Sequence, residues 1–184
     1  MIVQGGFFFT DFKGSAENLL GGVYYVSADY RHISPIVSNL AIANGVALST
    51  DERKLWITEM ANNRLHCIEL NEDRISIQNY GTSVPYHFIG TQGPDSCCID
   101  SGDNLYVAMY KQGRVMVFNR NGFPIGQVLL PGRTNGSMLN STHSTLRPNS
   151  NDLIICSNDG TNGQGSWLFK AGAFDNAHNS FQFK

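Results

Sequence analysis

The chain has 184 residues, 13 Lys plus Arg against 15 Asp plus Glu, and a formal net charge of −2. That length suits a single domain over residues 1–184 with its own core, and the near-neutral balance leaves no broad cationic surface for nucleic acid or anionic lipid. No apolar run approaches the ~20 residues needed to span a bilayer.

In chain order, Met1-Ile2-Val3-Gln4-Gly5-Gly6 carries neither a basic leader nor a small-residue cleavage pattern, so no secretion signal is expected there. Gly5 to Val26 and the segment Ile33 to Val37 predict an incomplete first unit that lacks its innermost strand. The second unit is clearest. Asn44 to Ser49 predicts a short strand, Thr50 to Lys54 a polar turn, and Leu55 to Thr58 the next strand. After a turn at Ala61-Asn62-Asn63, Arg64 to Leu70 alternates apolar and polar residues, and Ser76 to Tyr80 predicts an outer strand. The third unit repeats this with Asp95 to Ile99, Leu105 to Tyr110, Arg114 to Asn119 and Pro124 to Leu130, and Asn121-Gly122 is a tight-turn dipeptide. A fourth unit covers roughly His143 to Phe174.

The anchors Phe7, Leu55, Leu105 and Leu153 lie 48, 50 and 48 residues apart. Self-similarity at that period in strand-like segments marks propeller blades, and no segment holds a helical apolar period. The predicted fold is therefore all-β: a partial β-propeller of about four blades, the first incomplete. Because the first copy begins in mid-blade, the chain reads as the C-terminal part of something larger. A blade buries both faces against neighbours, so an open arc predicts exposed end blades and self-association through them. The recurring aromatics Phe7, Phe9, Trp56, Tyr106 and Trp167 are expected to pack between blades.

Four cysteines, Cys67, Cys97, Cys98 and Cys156, form no C-x-x-C pair, and no histidine cluster supports zinc. Cys67, Cys98 and Cys156 lie in apolar strand runs, where free cysteine behaves as a small hydrophobe. Reduced thiols predict a cytoplasmic protein. The triplets Asn135-Gly136-Ser137 and Asn140-Ser141-Thr142 match glycosylation sequons, but such triplets are common by chance.

Residues that begin innermost strands face one mouth of a propeller's channel. Here these are Asn44, followed by Gly45, and Asp95, followed by Ser96, with His143 offered by the fourth unit. An amide oxygen, a carboxylate and a hydroxyl at one mouth make a hard-oxygen site suited to calcium, and the carboxylate also suits proton transfer. Bland readings stand beside these: Asn-Gly is a common turn, Pro94-Asp95 resembles turn initiation, and His143 reads equally as a turn residue. Asp100 to Asn104 is too short for an EF-hand loop and predicts a hairpin turn. Glu59 reads as a structural strand end and His66 as a surface or packed residue.

At these residues a family resemblance emerges. Ala43-Asn44-Gly45-Val46-Ala47-Leu48-Ser49 with Leu55-Trp56-Ile57-Thr58-Glu59 resembles a blade of the gluconolactonase, senescence-marker-protein and luciferin-regenerating-enzyme family. Gly93-Pro94-Asp95-Ser96, Asn104-Leu105-Tyr106-Val107-Ala108 and Gly113-Arg114-Val115 are similar to the next blade of that family. Asp95 to Asp100 and Leu153 to Asp159 resemble its cytoplasmic, calcium-dependent, drug-responsive branch in bacteria. The resemblance implies a six-bladed propeller that hydrolyses a small-molecule lactone around calcium or another divalent metal. It implies Asn44 and Asp95 as metal ligands, Asp95 also as the acid/base residue, and Ser96 as a further calcium contact. It also implies a first-blade glutamate and an acidic residue before Gly5 that this sequence does not contain. Two other readings remain open: a non-catalytic propeller remnant or binding module with an incomplete metal site, and a repeat scaffold for protein interaction.

Overall fold

The computed structural model describes residues 2–3, 5–90, 92–160, 163 and 165–179. Short strands joined by tight turns form four antiparallel meanders. The first is β1 (Ile2–Val3), β2 (Gly6–Asp11), β3 (Gly21–Val26) and β4 (Ile33–Leu40). The second is β5 (Ala43–Leu48), β6 (Lys54–Glu59), β7 (Arg64–Leu70) and β8 (Ile77–His87). The third is β9 (Pro94–Ile99), β10 (Leu105–Met109), β11 (Arg114–Phe118) and β12 (Pro124–Leu129). The fourth is β13 (Asn140–Leu146), β14 (Asp152–Asn158) and β15 (Ser166–Gly172). Among the described residues the one helical element is the 3₁₀ turn Arg133–Asn135, and no helix is long and apolar enough to cross a membrane.

The repeat seen in sequence is a repeat of register. Leu55 pairs with Leu48, Leu105 with Ile99 and Leu153 with Leu146, so the anchors occupy equivalent places in successive sheets. Phe7 pairs with Ile2 in the same way. The first sheet thus has a two-residue innermost strand where the sequence pattern predicts none. A strand of two residues is too short to show any alternation, and only its pairing to Phe7 reveals it. The outer strand of the second sheet also runs further than predicted, to His87.

Three apolar layers lie between the four sheets. Val3, Phe8, Val23, Leu55, Ile57 and Leu70 join the first sheet to the second. Trp56, Leu65, Leu105, Val107, Met109 and Phe118 join the second to the third, where Tyr86, Phe88 and Phe118 meet edge-on with ring centres 5.0–5.7 Å apart. Tyr106, Val115, Val117, Leu153 and Ile155 join the third to the fourth. Strands β6 and β10 are buried on both faces, which is why they read as continuous apolar runs rather than alternating ones. Burying each large apolar side chain contributes roughly 1.5–3 kcal/mol relative to leaving it exposed.

The end sheets each keep one open face. On the first, Phe9 stacks on Tyr24 at 5.4 Å and Phe7 meets Tyr30 at 6.1 Å, and Tyr30 is 71% exposed. On the fourth, Leu168 is 70% exposed. Phe7, Phe9 and Trp167 therefore lie outside the buried layers, unlike Trp56 and Tyr106. After β15 the chain doubles back as a strap. The Ala173 and Ala177 amides bond Asn151 and Ser150, the Ser101 amide bonds Asn176, and Ala177 bridges Asp100.

Candidate functional site

The innermost strands β5, β9 and β13 lie side by side, and each carries a bulge near its start. In β5 the pairing jumps from Ala43–Glu59 to Val46–Ile57, so Asn44 and Gly45 together oppose Thr58. In β9 it jumps from Pro94–Met109 to Cys97–Val107, so Asp95 and Ser96 oppose Ala108. In β13 it jumps from Ser141–Ser157 to His143–Cys156, with Thr142 as the extra residue. A bulge inserts one residue and re-aims the side chains beside it. Here it turns the start of each inner strand out of the pleat at the same level of successive sheets.

Asn44 and Asp95 are brought together. The Asn44 side chain and the Ser96 amide both lie near enough to the Asp95 carboxylate to favour its charged form. The Asn44 amide nitrogen reaches Met60 Sδ at 3.7 Å. Burial pushes the Asp95 carboxyl from its ordinary 3.8 up to about 6, and the neighbouring Asn44 side chain and Ser96 amide pull it back only in part. Gly45 allows this approach: a Cβ there would lie 2.7 Å from the Cys97 amide nitrogen and 2.9 Å from the Asp95 carbonyl oxygen. The Asn-Gly pair is a strand bulge and a close crossing, not a turn.

His143 does not take the equivalent place. The fourth inner strand begins at Asn140, three residues earlier than expected, and its bulge makes Thr142 the counterpart of Asn44 and Asp95. His143 matches Ser96 and is exposed. The one-residue offset comes from the inner hairpins: Leu48 pairs with Leu55 and Leu146 with Leu153 across turns one residue longer than the Ile99–Leu105 turn, so counting from Asp95 overshoots Thr142.

The remaining polar candidates are structural. Asp100, fully buried, accepts from the Gly102 and Asn104 amides at 2.9 Å and from the Tyr106 hydroxyl at 2.8 Å, which makes its loop a hairpin turn. Glu59, 1% exposed, accepts from the Ala41 amide and from His66 Nε2, each at 2.8 Å, and from Asn62 at 3.0 Å. It ties the end of β6 to the crossover between the first two sheets. Burial raises its carboxyl, and the hydrogen bonds, His66 foremost, more than reverse this and hold it below the ordinary value. The four cysteines are free; burial pushes Cys67 up to about 11 and Cys98 to about 12, so neither is a thiolate at neutral pH.

Asn44, Asp95 and Ser96 offer an amide oxygen, a carboxylate and a hydroxyl, a hard-oxygen set that fits calcium and tolerates another divalent cation. A desolvated carboxylate whose partners are two neutral groups also suits an arriving cation. Among the described residues no three of His, Cys, Asp and Glu converge as a metal cluster.

Comparison with known proteins bears on this arrangement. The family model described as SMP-30/Gluconolactonase/LRE-like region matches residues 1–148. Lactonase drp35 of Staphylococcus aureus strain USA300 is 59% identical over 181 residues, covering 98% of this chain and 56% of the relative. Lactonase drp35 of Staphylococcus saprophyticus is 59% identical over 180 residues with the same coverage. The chain thus spans little more than half the length of these relatives. Among solved structures, a luciferin-regenerating enzyme superposes with a TM-score of 0.73 at 20% identity, over 94% of this chain and 61% of that one. A calcium-binding protein, regucalcin from Agrobacterium tumefaciens, gives 0.72 at 17%, over 96% and 62%. At such identities these two show the fold, a partial propeller, and nothing finer.

Proposed function

The chain belongs to the SMP-30/gluconolactonase/LRE-like family, and we propose that it contributes the acid/base carboxylate and part of the calcium shell of a lactone-hydrolysing site. The observation that carries this reading is that the adjacent inner strands β5 and β9 are bulged at the same level, which brings the Asn44 side chain to the Asp95 carboxylate. Asn44, Asp95 and Ser96 would hold the ion, calcium or another divalent metal. Bound there, it would supply Lewis-acid polarisation of a lactone carbonyl. Calcium takes 6–8 oxygens, so the shell requires donors beyond these three, and the greater length of the relatives leaves room for them.

Asp95 then performs the proton transfers. Its carboxylate takes a proton from water as the water oxygen bonds to the carbonyl carbon, and it returns that proton to the ring oxygen as the C–O bond breaks, leaving the hydroxy acid. A carboxyl near 6 is matched to this work, since neither protonation state is far from reach at neutral pH.

The test uses the 184-residue chain and a version extended to the length of its relatives, with calcium binding followed by calorimetry and lactone opening by pH-stat. The extended protein should hydrolyse lactone and stop on chelation, and Asp95→Asn should cost at least ~100-fold in rate. The 184-residue chain should bind calcium more weakly and turn over little. Because calcium must displace the Asp95 proton, affinity should fall about tenfold per pH unit below about 6. Full hydrolysis by Asp95→Asn, or under chelation, sinks the assignment. Calcium binding with no turnover in the extended protein would favour a non-catalytic remnant.

A further inference from the structure

Two threonine hydroxyls, on Thr10 and Thr58, reach from one sheet to the next at equivalent places. Thr10 in β2 and Thr58 in β6 each stand three residues after their anchors, Phe7 and Leu55. The Thr10 hydroxyl donates to the Asn44 carbonyl at 2.6 Å. The Thr58 hydroxyl donates to the Asp95 carbonyl at 2.5 Å and accepts from the Gly45 amide at 2.6 Å. Thr58 is fully buried. One hydroxyl group thus joins the β5 bulge, which presents Asn44, to the β9 bulge, which presents Asp95.

The same position in the third and fourth sheets is Ala108 and Cys156, so neither has a threonine hydroxyl. The inner strand after Ala108 carries Thr142 where the two preceding ones carry Asn44 and Asp95. A threonine therefore precedes each of the two strands that present a strong oxygen donor, and is missing before the one that does not. Strand propensity alone accounts for none of this, because a valine fills the same volume and favours a strand equally.

We propose that Thr10 and Thr58 are positioning residues, whose hydroxyls fix the main chain of Asn44 and Asp95 so that the two side chains converge on one point. The geometry is independent of any ligand; the function served rests on the lactonase reading above. Thr58 sets the spacing of the two bulges because it holds both, and Thr10 sets only the approach of Asn44. Without the Thr58 hydroxyl, a buried amide and a buried carbonyl lose their partner together, and the bulges relax apart to recover one.

The test replaces the hydroxyl with a methyl and then restores it. In the 184-residue chain, Thr58→Val should weaken calcium binding by calorimetry at least tenfold, and Thr58→Ser should return it to within about threefold. Thr10→Val should have the smaller effect, also recovered by serine. Hydrogen exchange at the Gly45 amide gives a reading that needs no metal: Thr58→Val should speed it at least tenfold, and Thr58→Ser should not. A threonine with a merely structural role would lower Tm and leave the affinity of the folded protein unchanged. Unaltered calcium affinity in Thr58→Val, or a serine variant as impaired as the valine one, overturns the proposal. If wild type binds no calcium, the metal reading fails, and Gly45 exchange alone decides: unchanged exchange in Thr58→Val overturns positioning. Should Thr58→Val not fold, Thr10→Val and Thr10→Ser carry the same comparison at the less buried site, and equal affinity in both overturns it.

Discussion

Asp95 is a half-buried carboxylic acid. With its folded value raised from 3.8 to about 6, the neutral form is the one the fold prefers. The sign follows: the group's contribution to stability is full below pH ~4 and is lost as pH rises through about 6. At pH 7 the loss amounts to at most ~3 kcal/mol. Asp95→Asn should therefore raise Tm at pH 7 and leave it nearly unchanged at pH 4, as thermal melts at the two values would reveal. Comparing the variant with wild type at each pH cancels the titration of other groups, including Glu59, whose lowered value acts in the opposite direction. A melt that falls in the variant at pH 7 would mean that the carboxylate is stabilised by partners beyond Asn44 and Ser96. A residue that costs stability is the usual signature of a group kept for chemistry.

At the scale of strands, the bulge is the element that presents Asn44 and Asp95, and Gly45 is its tightest point. Gly45→Ala puts a Cβ against the main chain of β9, which must then move. It should cost about 1–3 kcal/mol in urea denaturation and also weaken calcium binding, because the same shift parts Asn44 from Asp95. Equal stability in the two proteins would show that β5 and β9 have room to give. The sequence made the blades legible through Leu55, Leu105 and Leu153, because strands buried on both faces advertise themselves as apolar runs. The placement of Asn44 and Asp95 near the starts of adjacent inner strands was legible from the repeat, while a role for them in a site was implied only by the family resemblance. The bulges were not legible, since an inserted residue leaves the composition of a strand unchanged; His143 was misplaced by one because the β9–β10 turn is a residue shorter than its two counterparts. Thr58 passed as an ordinary β-branched strand residue; its one signal was the matching threonine at Thr10. The stub Ile2–Val3 was too short for any periodicity to reach.

Across the whole molecule, three buried layers hold four sheets, and two faces stay open. The face built on Phe7, Phe9, Tyr24 and Tyr30 is an aromatic surface of the kind that, in a closed ring, meets another sheet. Left open, contiguous apolar surface drives association. Sedimentation should therefore show oligomers growing as concentration rises from about 1 to 100 μM, and replacing Phe7 and Tyr30 together with serine should suppress them. A monomer across that range would mean that this face is stable in water as it stands.

The strap that closes over the third sheet has a consequence in time. The hydrogen bond from the Phe174 amide to the Tyr106 hydroxyl joins residues 68 apart. Translation at about 5–20 residues per second separates their appearance by roughly 3–14 s. Until then the Tyr106 hydroxyl and the buried Asp100 it bonds lack the segment that seals them from solvent. Synthesis runs from first blade to last, yet the third blade is finished only after the fourth has been made. A nascent chain halted between these points would carry two well-packed sheets and a third still open to water, with its polar pair waiting for residues not yet translated.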